Sequence, residues 1–242
     1  MCIIAYKPAG TDIEKEVLQE CFSRNPDGAG FMYPKASEVM IQKGFFDFES
    51  FWKAWHKTEK TYGDSIPYVL HFRISTAGRI NYKNSHPHRI SPDLAFVHNG
   101  ILRINVPKKS KISDTVIYRD KFLVDATPDI VDSQTFQRIL GDHIGIQNKF
   151  VFMDGHGRVS IINESQGHWY NGIWFSNYSY KPATIKISDL SMLKDLAYPY
   201  CDICGKELIT EDEIADGLCA ACLEDDLLNY DSYWTDKDRY DY

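Results

Sequence analysis

Apolar and polar positions alternate from the outset, and Cys2-Ile3-Ile4-Ala5-Tyr6 reads as a strand that begins almost at the first residue. From Asp12 to Cys21 the period lengthens: Ile13, Val17, Leu18 and Cys21 recur at helical spacing, with Thr11 or Asp12 available as the cap. Asn25-Pro26-Asp27-Gly28-Ala29-Gly30 breaks that helix. The pattern next predicts strands over 30–33 and 39–43, an aromatic helix over 48–60 and a strand over 68–74. Strands resume over 95–102 and 150–162, the second interrupted by Asp154-Gly155-His156-Gly157, a hairpin turn signal. A strand over 172–176 closes the set. Strands in runs with helices between them predict an antiparallel α+β domain rather than an alternating doubly wound one. No solenoid repeat or low-complexity run is present.

Composition narrows the class. With 242 residues, 43% apolar and 25% charged, the chain is long enough for one sizeable core and an appendage. No run approaches the roughly 18 consecutive apolar residues of a membrane helix. The start of the chain is broken too soon, by Lys7, Pro8 and Gly10, to be a signal peptide. A soluble, cytoplasmic protein is therefore expected. The net charge of −7 is unevenly placed, since residues 201–242 hold 13 acids against 3 bases and the remainder 21 acids against 24 bases. A near-neutral body with an acidic end predicts neither nucleic acid nor membrane as a partner and favours a small-molecule substrate.

The six cysteines stand at 2, 21, 201, 204, 219 and 222. Four form the pairs Cys201-x-x-Cys204 and Cys219-x-x-Cys222, separated by 14 residues, the spacing that lets two tight turns present four thiolates to one Zn²⁺. Gly205 and Gly217 supply permissive backbone for such turns. The alternative is four reduced, unliganded thiols. With no open coordination position the Zn²⁺ would be structural. The domain reading is a main domain over 2–198, a zinc-ribbon-like module over 199–223, and an acidic, Tyr-rich tail over 224–242 that begins as a short helix and frays. The module is a candidate docking surface for a partner.

Cys2 follows Met1, and a small second residue is what methionine removal requires, so the mature chain is expected to begin with this cysteine. One residue would then carry a thiol nucleophile and an α-amine whose ordinary pKa, about 7.7–8.0, suits it as a base near neutrality. The alternative is a buried structural cysteine at the start of a strand.

Several further segments occur in order behind Cys2. They are Asn25-Pro26-Asp27-Gly28-Ala29-Gly30, His71-Phe72-Arg73-Ile74-Ser75-Thr76-Ala77-Gly78, Asn84-Ser85-His86-Pro87-His88, His98-Asn99-Gly100 and Ser113-Asp114-Thr115. Together they resemble the class II glutamine amidotransferase domain of the N-terminal-nucleophile hydrolases, over about residues 2–180. The resemblance implies a four-layer αββα sandwich of antiparallel sheets, to which the C-terminal zinc ribbon is added. It also implies Cys2 as nucleophile and Asn99 with the Gly100 N–H as the oxyanion trap. Arg73 would hold the substrate carboxylate bidentately, Asp114 would take the α-ammonium, and Thr76 and His86 would line the substrate pocket. Each residue also has a plainer use: a surface ion pair for Arg73, a helix cap for Ser113 or Asp114, and a hairpin turn for Asn99-Gly100. His71 and His98 are expected to serve packing and hydrogen bonding. Ala77 and Ile74 depart from the histidine and aromatic residue usual in relatives at these positions.

The activity implied is hydrolysis of the glutamine side-chain amide through a γ-glutamyl thioester, with no organic cofactor. Residues 180–242 are too few for a second catalytic domain, so a separate ammonia-accepting synthase is the expected partner. Stand-alone domains of this kind resemble those of some viral genomes, which implies a phage source. Two alternatives remain at this level: a catalytically degenerate adaptor of the same fold that binds proteins through its zinc module, and an amidase of the same fold acting on another amide.

Overall fold

The computed structural model describes residues 2–75, 78–107, 110–181, 210 and 219–221. The chain divides into two compact units, 1–182 and 183–242. Of the predicted zinc ligands, Cys201, Cys204 and Cys222 lie outside the described residues, as does the tail over 224–242, whereas Cys219 is described and buried. Among the described residues no helix is long and apolar enough to cross a membrane. None of their His, Cys, Asp and Glu side chains form a group of three or more that could hold a metal.

The first unit is a mixed α+β structure with two antiparallel sheets. In chain order the elements are β1 (Ile3–Lys7), α1 (Lys15–Arg24), β2 (Ala29–Lys35), β3 (Glu38–Phe45), α2 (Phe48–Tyr62) and β4 (Tyr68–Phe72). There follow β5 (His88–Ser91), β6 (Leu94–Asn99), α3 (Asp114–Phe122), α4 (Pro128–Asp132) and α5 (Gln134–Ile144). The last four are β7 (Lys149–Asp154), β8 (Val159–Ile162), β9 (His168–Tyr170) and β10 (Ile173–Phe175). The first sheet has the order β3-β2-β4-β1-β10-β9 and the second β5-β6-β7-β8.

Period-two alternation sorts the side chains into three cores. On one face of the first sheet Ile3, Ala5, Phe31, Leu70, Phe72 and Phe175 pack against Leu18 of α1 and Phe51 and Trp55 of α2. The opposite face, with Ile4, Met32, Val69 and Trp174, meets Ala95, Val97, Val151 and Met153 of the second sheet. The far face of that sheet, with Leu94, Phe96, Phe150 and Phe152, is covered by Tyr118, Val131, Leu140 and Ile144 from the helical segments. The layers are thus helix, sheet, sheet, helix.

Local chemistry explains the ends of the elements. Asp47 caps α2 by accepting the Ser50 N–H at 2.8 Å, and Gly63, at φ +69°, ends it. The predicted first helix starts later than its periodicity suggests, at Lys15, because Thr11 turns its hydroxyl back to the Pro8 carbonyl at 2.7 Å instead of capping. The expected strand over 95–102 stops at Asn99, where the chain leaves the sheet, and the one over 172–176 is half of a β9–β10 hairpin.

Candidate active site

The register of β1 decides what gathers at one end of the sandwich. Ile3 lies opposite Phe72, so Cys2 stands beside Arg73 where β4 runs out. Cys2 has the parity of Ile4, Arg73 that of Val69 and His71, and Asn99 that of Ala95 and Val97; all of these apolar neighbours belong to the core between the sheets. Three of the predicted site residues therefore face the same interlayer space from three strand ends.

Cys2 is partly buried; its Sγ donates to the Ile74 carbonyl at 3.4 Å and its own carbonyl accepts from Asn177 Nδ2 at 2.8 Å. Burial pushes its thiol above the ordinary value, while the charges of Arg73 and of the amino terminus pull it down.

Arg73 is 4% exposed, which excludes the surface ion pair. Its Nη2 donates to Ser75 Oγ at 3.0 Å and its Nη1 to the Arg79 carbonyl at 3.4 Å. Burial lowers its pKa, opposed by the charges of Cys2, Asp27 and Asp114, all of which act on the guanidinium. Asp27 was not singled out by sequence reasoning beyond its place in the Asn25–Gly30 segment. It brackets the end of β4: its N–H donates to the Arg73 carbonyl at 2.9 Å and its Oδ2 accepts the Ser75 N–H at 2.8 Å. The segment therefore sets the backbone from Arg73 to Ser75, including the Ile74 carbonyl that receives the thiol.

The capping reading of Ser113-Asp114 has a place in the structure. Ser113 is the N-cap of α3, accepting from the Val116 N–H at 3.4 Å. Asp114, in the first turn, is buried with Oδ2 accepting the Leu102 N–H and Oδ1 the Thr115 N–H, each at 2.8 Å. It thereby tethers the loop that leaves Gly100. Asn84, fully buried, ties the remaining loops together: its Nδ2 donates to the carbonyls of Arg79 and Lys111 at 2.9 and 2.8 Å, and its Oδ1 accepts the Ser113 N–H at 2.9 Å. Thr76 lies outside the described residues.

Asn99 and Gly100 do not form a hairpin. Gly100 has φ +139°, and a Cβ there would collide with the Asn148 side chain and come within 2.9 Å of the Asn148 Cα. Asn148 is held in turn by His98 Nε2 to its Oδ1 at 2.8 Å and by its Nδ2 to the Ile144 carbonyl at 2.6 Å. The Asn99 side chain is buried, its Nδ2 donating to Ser176 Oγ at 2.9 Å. Asn148 and Ser176 had no sequence signal, because each acts from an element remote in the chain.

The histidines form a buried stack rather than a metal cluster. His86, preceding a cis peptide bond to Pro87, stacks on His71 at 4.0 Å and meets His88 edge-on at 4.4 Å. Its Nδ1 accepts the His98 N–H at 3.0 Å. His71 Nε2 reaches the His98 carbonyl at 2.9 Å, and His98 Nδ1 reaches Thr115 Oγ1 at 2.8 Å. Burial lowers the pKa of all four, His71 to about 3, so the stack is neutral. Lys43, whose Nζ donates to the Ser85 carbonyl at 2.9 Å, is lowered to about 8 by burial and the charge of Arg119.

No family model matches the chain, and no curated protein sequence matches it. Among solved structures it is similar to the glutamine phosphoribosylpyrophosphate amidotransferase from B. subtilis, complexed with ADP and GMP, at a TM-score of 0.44 and 13% identity. That similarity covers 72% of this chain and 41% of that one, so the chain spans less than half the length of that enzyme. A match this distant carries nothing about activity.

Two predictions follow from the geometry. Gly100→Ala should cost about 1–3 kcal/mol of stability through the enforced collision with Asn148, read as a lower urea midpoint at unchanged slope. The unfolded chain binds protons on histidines near pH 6.5 that the folded stack refuses, so stability should be full above that pH and fall below it. Each histidine held neutral should contribute a loss of about 1.4 kcal/mol per pH unit; denaturation series from pH 7.5 to 5 would show a flat profile if the stack took up protons without cost.

Proposed function

We propose that the chain is a glutaminase of the amidotransferase kind, with Cys2, freed by removal of Met1, as its nucleophile. The observation that supports this best is the convergence of Cys2, Arg73 and Asn99 on one interlayer space, with the charge of Asp114 acting on Arg73. Glutamine carries a carboxylate, an ammonium and a neutral amide. One group matches each feature: the buried guanidinium of Arg73, the buried carboxylate of Asp114, and the Cys2 thiol, which faces the same interlayer space as the Asn99 carboxamide.

In this reading the Cys2 α-amine takes the thiol proton as sulfur attacks the δ-carbonyl carbon. Negative charge develops on the carbonyl oxygen, facing Asn99 and the Gly100 N–H; one such donor is worth about 3–4 kcal/mol in the transition state. The ammonium formed at Cys2 returns its proton to the amide nitrogen as the C–N bond breaks, releasing ammonia and leaving a γ-glutamyl thioester. Water, deprotonated by the same amine, then adds to the thioester, and glutamate leaves as the thiol is restored. Arg73 takes the substrate carboxylate bidentately and Asp114 the α-ammonium, with Thr76 and His86 lining the pocket. The ammonia goes to a synthase on another chain.

Four cysteinyl thiolates at Cys201, Cys204, Cys219 and Cys222 suit a closed tetrahedral Zn²⁺ site, which would organise the C-terminal module and take no part in the chemistry. Purified chain should hold one zinc per molecule by elemental analysis, and Cys201→Ser with Cys204→Ser should lose it while retaining glutaminase activity; a metal-free native chain would overturn this assignment.

The central reading is tested by mass spectrometry after incubation with diazo-oxo-norleucine, a glutamine-mimetic electrophile. One adduct is expected, on Cys2 as the N-terminal residue, and Cys2→Ala should abolish both labelling and glutamine hydrolysis with its thermal midpoint little changed. Active material that still carries Met1 would refute the mechanism, because the proton acceptor would be missing.

A further inference from the structure

Ser176 follows β10 and has no role in the mechanism above, yet it touches both halves of the site. It shares the parity of Trp174, so it faces the space between the sheets, and it is fully buried. Its Oγ accepts the Ile4 N–H at 2.8 Å and an Asn99 Nδ2 hydrogen at 2.9 Å, and its own N–H donates to the Ile4 carbonyl at 3.0 Å. A single hydroxyl therefore joins the strand that bears Cys2 to the carboxamide that ends β6.

The hydrogen-bond count at this hydroxyl is unbalanced. A serine offers one donor and two acceptor lone pairs, but both bonds made by Ser176 Oγ are accepted ones. The other end of the carboxamide, Asn99 Oδ1, is buried and has no partner. Half a turn about the Asn99 Cβ–Cγ bond, a soft and roughly two-fold torsion, resolves both faults at once. Ser176 then donates to Oδ1 while still accepting from Ile4, and Nδ2 takes the place of the orphaned oxygen with both of its hydrogens free. In the unturned arrangement an acceptor would face a developing negative charge; in the turned one a donor does.

We propose that Ser176 is a positioning residue of the oxyanion trap: by donating to Asn99 Oδ1 it holds the carboxamide with Nδ2 directed at the oxygen that gains charge. The Ile4 N–H fixes the hydroxyl by occupying one of its lone pairs, so the strand carrying the nucleophile also sets the orientation of the trap. This inference rests on the glutaminase reading and adds to it a residue that touches no substrate atom.

The test is steady-state glutamine hydrolysis by the full chain, comparing wild type, Ser176→Ala, Asn99→Ala and the double variant. Ser176→Ala should lower kcat about ten- to a hundredfold, as expected for a misplaced transition-state donor, with KM within about twofold. In the Asn99→Ala background the same change should cause no further loss, which a purely structural role would not produce. Alkylation of Cys2 by iodoacetamide, which needs no oxyanion trap, should proceed at the wild-type rate. Should Ser176→Ala fail to fold, the near-isosteric Ser176→Cys, a weak donor, carries the same comparison: kcat lowered at constant KM supports the assignment and unchanged kcat overturns it. An active wild type with undiminished Ser176→Ala, or losses that multiply in the double variant, overturns the role of Ser176 alone. A wild type that does not hydrolyse glutamine overturns the glutaminase reading and this inference with it.

Discussion

The pairing of β1 between β4 and β10, in the register that sets Ile3 against Phe72 and Ala5 against Phe175, is the constraint on which the site depends. A strand's side chains change face at every residue, so a slip of one position would turn Cys2 and Ile4 toward the helices and drive Ile3 and Ala5 into the space between the sheets. Pairing on both sides holds that register. Cys2 is thereby brought to the end of β4, where Arg73 emerges, and the next strand residue but one, Ile4, is joined through the Ser176 hydroxyl to Asn99 on the other sheet.

What surrounds the thiol is polar yet buried, and an unpaired buried polar group costs about 1–3 kcal/mol. The fold meets this by giving single side chains several backbone partners. Asn84 binds three loop groups, Asp114 holds the loop after Gly100, and Asp27 holds the end of β4. The same bonds that satisfy these groups fix the site's backbone. Among the described residues, buried polar atoms without a hydrogen-bond partner also occur at His71 Nδ1 and both nitrogens of His88, on β4 and β5, and at Lys7 Nζ and Trp55 Nε1.

Burial acts on every titratable group in this region. It raises the Cys2 thiol and lowers the histidines, whose ring nitrogens are partly engaged with backbone: His86 Nδ1 accepts the His98 N–H and His71 Nε2 meets the His98 carbonyl. The histidine stack joins β4 to β5 and β6 through His71, His88 and His98.

Short-range patterns in the chain were sufficient for the first strands, the aromatic helix and the α+β class, since alternation, helical spacing and turn residues act over a few positions. Cys2, Arg73, Asn99-Gly100 and Ser113-Asp114 stood out only through the resemblance of the ordered segments to the amidotransferase family, since each alone has a plainer local reading. The late start of α1, the short β5 and the helices between Asp114 and Ile144 were not legible, because they follow from a hydroxyl turned back on a carbonyl and from packing against the second sheet. Nor could spacing reveal Asp27 under Arg73, Asn148 against Gly100 or Ser176 beneath Asn99, partners 46 to 77 positions apart or brought in from a different sheet. Local sequence therefore determined which segments form strands and which residue types stand at their ends. Only the tertiary structure decided that they meet, because register and sheet stacking are properties of strands in contact, and no strand encodes its neighbour's position alone.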